Sequence, residues 1–71
     1  MNLVVNGKET NINDGLTVSQ LLVETNVRMP QMVSVEVNGQ ILRRSEYDQT
    51  ILREDDKVEF LYFMGGGNVT D

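Results

Sequence analysis

Val33-Ser34-Val35-Glu36-Val37-Asn38-Gly39 is the stretch from which the fold is read. Val33, Val35 and Val37 alternate with Ser34, Glu36 and Asn38, so the valines share one face and the polar residues the other. Alternation with a period of two marks a strand with one buried and one wet face. Asn38-Gly39 then makes a tight turn, because both residue types tolerate positive φ. Gln40-Ile41-Leu42 returns from it.

Upstream, Leu3-Val4-Val5 reads as a strand, Asn6-Gly7 as a second hairpin turn, and Lys8 to Ile12 as a polar, half-exposed partner strand. Asn13-Asp14-Gly15 breaks the pattern. Thr17-Val18-Ser19-Gln20 fits a capping box, a threonine cap with glutamine three residues on. Val18, Leu21, Leu22 and Thr25 follow at spacings of three and four, which predicts a helix from about Val18 to Thr25. So short a helix is unstable alone and must dock on a sheet. Asn26 and Pro30 end it.

Downstream, Arg43 to Asp48 is a polar connection in which Tyr47 packs its ring over the core edge. Gln49 to Leu52 is a short strand candidate. Glu54-Asp55-Asp56 is a charged turn without the spacing of a calcium loop. Lys57-Val58-Glu59-Phe60-Leu61-Tyr62-Phe63 is the last strand. Val58, Phe60 and Tyr62 share one face. The other face runs from polar Lys57 and Glu59 to apolar Leu61 and Phe63, which reads either as a partner-binding patch or as a site covered by another loop. A hairpin, a helix across it and returning strands give an α+β architecture, a mixed sheet with one main helix on one face. Residues 1–64 form this single domain. Residues 65–71 are expected to form a flexible tail containing Gly65-Gly66-Gly67.

Composition narrows the function. The chain has 71 residues, no cysteine and no histidine, which excludes disulfides, thiolate nucleophiles and histidine-dependent catalysis. Eleven acidic against six basic residues give a net charge of −5, which disfavours nucleic acid. The start of the chain lacks a basic, apolar leader and no run is long enough to span a bilayer, so a soluble cytoplasmic protein is expected. There is no phosphate-cradling glycine loop and no metal-ligand set. Tyr47 and Tyr62 are better explained by packing than by catalysis. Taken alone, Gly65-Gly66-Gly67 reads as a linker.

The segments Met1 to Lys8, Leu16 to Leu22, Val35 to Gly39 and Val58 to Gly67 together resemble the sulfur-carrier family of thiamine biosynthesis, ThiS, over residues 1 to 67. The resemblance implies a β-grasp fold like that of ubiquitin and the molybdopterin sulfur carrier. It also implies a chemistry that belongs to partners. A ThiF-like adenylyltransferase joins the terminal glycine to AMP using ATP, a sulfur donor displaces AMP to leave a thiocarboxylate, and thiazole synthase receives the sulfur. On this reading the chain is a co-substrate, not an enzyme, and binds no cofactor itself. Gly67 is the reacting residue beside Gly66, Gly65 and Met64 belong to the tail that enters the partner, and Leu61 and Phe63 belong to the partner surface. Glycines lack Cβ and thread a narrow channel where side chains clash.

One departure stands out. Asn68-Val69-Thr70-Asp71 follows Gly67, so its carbonyl is an amide and cannot be adenylated in this way. A peptidase that removes residues 68–71 would restore the carboxylate. The alternatives are a β-grasp interaction module that transfers nothing, a carrier serving cysteine or methionine synthesis, a ubiquitin-type modifier, or an extension that is not native.

Overall fold

The computed structural model describes residues 1–62. Five strands and one α-helix follow in the order β1 (Asn2–Val5), β2 (Lys8–Asn11), α1 (Val18–Glu24), β3 (Val33–Val37), β4 (Gln40–Ile41) and β5 (Lys57–Tyr62). Single 3-10 turns occupy Pro30–Met32 and Arg44–Glu46. The strands form one sheet in the order β2-β1-β5-β3-β4, in which β1 and β5 run parallel and the other neighbours antiparallel. This is the mixed sheet with one helix of the β-grasp fold.

Both hairpins turn where Asn-Gly predicts. Asn6, Gly7, Asn38 and Gly39 all have positive φ, the requirement of this turn type. Each asparagine also reaches the central strand. Asn6 Oδ1 accepts the Phe60 amide at 2.8 Å, and Asn38 Oδ1 accepts the Lys57 amide at 2.9 Å. Beyond forming the turns, these residues stitch β5 between the two hairpins.

The helix starts as its capping box requires. Gln20 N–H donates to Thr17 Oγ1 at 3.2 Å, and the Thr17 amide donates to Gln20 Oε1 at 2.9 Å. Val18, Leu21 and Leu22 are its buried stripe. They meet Leu3, Val5, Val33, Val35, Val58 and Phe60 from one face of the sheet, with Tyr47 and Leu52 closing the side. Fully burying a leucine or valine is worth about 1.5–3 kcal/mol, which docks a seven-residue helix that is unstable alone.

One expectation needs correction. Gln49 to Leu52 is not a strand: it makes one bridge, between Ile51 and Thr17. The orphan amides of the helix start capture this segment instead. Val18 N–H donates to Thr50 O at 3.0 Å and Ser19 N–H to Tyr47 O at 3.1 Å. The Arg43 to Asp48 connection is ordered around a 3-10 turn at Arg44–Glu46, where the Arg43 amide donates to Glu46 Oε1 at 2.8 Å.

Candidate functional site

The chain leaves the described body at the end of β5, so the surroundings of Leu61 and Tyr62 decide how the following residues are presented. β5 begins between two strands: Lys57 and Val58 are level with Val4 and Val5 of β1, and Val58 with Val37 of β3. Beyond Phe60, whose amide is taken by Asn6, no residue of β1 remains beside it. Leu61 and Tyr62 pair with Ser34 and Val33 of β3 alone.

The two faces at this end differ. Val58 and Phe60 are buried under α1, but Tyr62, on the same face, is 52% exposed, because the cover stops before it. Tyr62 therefore does not belong to the core. Leu61 lies on the opposite, open face and is 39% exposed, so no loop covers it fully. The partner-patch reading of Leu61 is compatible with this geometry. On the same open face Glu36 and Glu59 are direct cross-strand partners. Like charges so placed repel, and neither forms an ion pair: among the described residues the ion pair found joins the Met1 ammonium to Asp14 at 2.9 Å.

The far edge of β3 is covered by a strand only at its C-terminal end. β4 pairs only with Glu36 and Val37, and Leu42 N–H adds one bond to Val35 O at 2.9 Å. The Val35 amide donates to the Tyr47 hydroxyl at 3.1 Å. The Arg44 guanidinium donates to Pro30 O at 3.2 Å, Gln31 O at 2.6 Å and Val33 O at 2.9 Å, and stands 5.9 Å from the centre of the Tyr47 ring. Tyr47 packs at the core edge as its sequence position suggests; the bond to Val35 and the role of Arg44 had no sequence signal, because both partners are backbone groups. A groove of about 590 Å³ opens beside them, lined in part by Leu22, Val23, Val27 and Pro30.

No group of three metal-ligating side chains occurs among the described residues. No helix of the described residues is long and apolar enough to cross a membrane. Of the candidate site residues, the structure places Leu61. Phe63, Met64, Gly65, Gly66 and Gly67 lie outside the described residues, as does the proposed boundary between domain and tail.

The model of the ThiS family matches residues 2–67. The chain belongs to the ThiS family. The crystal structure of the thiamine biosynthesis protein ThiS from Geobacter metallireducens superposes with a TM-score of 0.86 at 46% identity, covering 94% of this chain and 100% of that one. A solution structure of a thiamine biosynthesis protein from the same organism gives 0.77 at 44% identity, covering 100% of this chain and 94% of that one. Among curated proteins, the chain is 41% identical over 68 residues to a thiazole synthase of Paramagnetospirillum magneticum and 36% identical over 67 residues to one of Magnetococcus marinus. These alignments cover 96% and 94% of this chain but 21% and 20% of the relatives, so the chain spans about a fifth of the length of the curated relatives it matches.

Proposed function

We propose that this ThiS-family chain is a cytoplasmic sulfur carrier for the thiazole of thiamine and acts as a co-substrate of partner enzymes. The observation that carries the reading is where the family match stops. It runs through the body and ends at Gly67, five residues past the end of β5, leaving out Asn68 to Asp71. A peptidase would first hydrolyse the Gly67–Asn68 bond and free the Gly67 carboxylate. A ThiF-like adenylyltransferase would then let that carboxylate attack the α-phosphate of ATP, releasing pyrophosphate and leaving a glycyl adenylate. A sulfur donor would displace AMP, and the resulting thiocarboxylate would hand its sulfur to thiazole synthase.

The physical arguments are consistent with this division of labour. The chain contains neither histidine nor cysteine, which fits chemistry carried out by partners. Leu61 on the open face would give a partner an apolar contact, and the net charge of −5 would steer the carrier toward a basic surface. Gly66, Gly65 and Met64 would follow Gly67 into the partner's channel.

Intact mass spectrometry of the protein from its own cells tests the proposal. A species ending at Gly67, and a second heavier by about 16 Da for oxygen replaced by sulfur, are expected from activated-acyl chemistry. If only the chain ending at Asp71 is found while the thiamine pathway is active, the carrier reading gives way to an interaction module.

A further inference from the structure

We infer that Arg44 is the positioning residue for the root of the C-terminal tail. The argument follows bonds outward from Tyr62. In an antiparallel ladder, successive residues turn their backbone groups to opposite sides. Phe60 N–H goes to Asn6, on the β1 side, so Phe60 and Tyr62 address that side, and Leu61 forms its bonded pair with Ser34. Nothing of β1 lies beside Tyr62. The last two residues of β5 are therefore held by the first two residues of β3 and by no other strand.

Those first residues of β3 lack a strand on their other side, since β4 reaches only Glu36 and Val37. Arg44 takes the place of one. Its guanidinium binds the carbonyls of Pro30, Gln31 and Val33 together, and it stacks on Tyr47, whose hydroxyl serves the next edge amide, that of Val35. The planar fork suits such multiple acceptors, and a bond from a charged donor is stronger than a neutral one. It also ties down the turn entered through Met29, a non-glycine residue at φ 54. A left-handed methionine is strained and stays in place only when its surroundings hold it. The line of support thus runs from the guanidinium to Val33 and Ser34, and from there to Leu61 and Tyr62. Arg44 is thus a positioning residue: it fixes the end of β5, from which the sequence continues to Gly67.

The test has two readouts, because the second rests on the carrier reading and the first does not. In the full chain, Arg44→Met removes every donor while keeping a long side chain. Amide hydrogen exchange at Ser34 and Leu61 is expected to rise about tenfold, the loss of roughly one charge-assisted bond, while Val5 and Val58 change much less. Equal acceleration at all four positions, or none, overturns the inference. In chains ending at Gly67 and given ATP and the adenylyltransferase, Arg44→Met is expected to lower kcat about tenfold with KM nearly unchanged, as looser delivery of the carboxylate predicts. Arg44→Lys, which keeps the charge without the fork, is expected to recover part of both losses, and it carries the test if Arg44→Met does not fold. Unchanged kcat overturns the positioning role. If the unsubstituted chain is not adenylated at all, the carrier reading fails, and the exchange data alone decide whether Arg44 anchors the strand end.

Discussion

At Val58, β5 lies between β1 and β3, and the side chains of Asn6 and Asn38 each hold one of its amides nearby; at Tyr62 the same strand touches β3 alone. Within one six-residue strand, a fully enclosed segment gives way to one with a single neighbour. The difference is one of support, since both ends carry apolar residues. The strand is clamped at its start and held by a single neighbouring strand at its end.

Substitutions along this gradient should separate the two ends. The largest effect is expected at the clamped end. Leu3→Ala, a fully buried residue of β1, is expected to cost about 2–5 kcal/mol of unfolding free energy through lost burial and a cavity. Chemical denaturation would check this, and a cost below about 1 kcal/mol would show that the core around β1 yields more than its burial implies. Tyr47→Phe comes next. It leaves the Val35 amide buried and unpaired, for about 1–3 kcal/mol. Asn6→Gly keeps the positive φ of the turn but deletes the acceptor of the Phe60 amide. About 1 kcal/mol is expected, with faster exchange at that amide. Leu61→Ala should cost the least, under about 0.5 kcal/mol, because the residue is exposed; under the proposed carrier function it should also weaken association with the adenylyltransferase. If Leu61→Ala destabilises as much as Leu3→Ala, the two ends do not differ in the way described.

Local patterns carried most of the fold. The two Asn-Gly turns, the capping box of Thr17 and Gln20, and the alternation in β3 and β5 each depend on residues close in sequence, and each appears where expected. The failures were competitions that sequence neighbours do not reveal. Ile51 and Leu52 have strand-forming side chains, but the amides at the start of α1 needed acceptors and took the backbone of this segment. Tyr62 continues the buried alternation of Val58 and Phe60, yet the helix does not extend over it. The pairing of β1 with β5 joins residues more than fifty positions apart. For the site, Gly65 to Gly67 were legible as composition and by family resemblance, and lie outside the described residues. Arg44 was not legible, because a guanidinium that binds three carbonyls leaves no mark on the side chains around it.

Glu36 and Glu59, opposed across β3 and β5, are expected to make the stability of the free protein depend on electrolyte. Their repulsion costs roughly 0.2–1 kcal/mol, and counterions that shorten the Debye length relieve it, so added salt should make the isolated body slightly harder to unfold. A cationic partner would neutralise the same pair directly, and salt would then compete with it. Ionic strength thus acts with opposite sign on the two states, favouring the solitary molecule over the docked one.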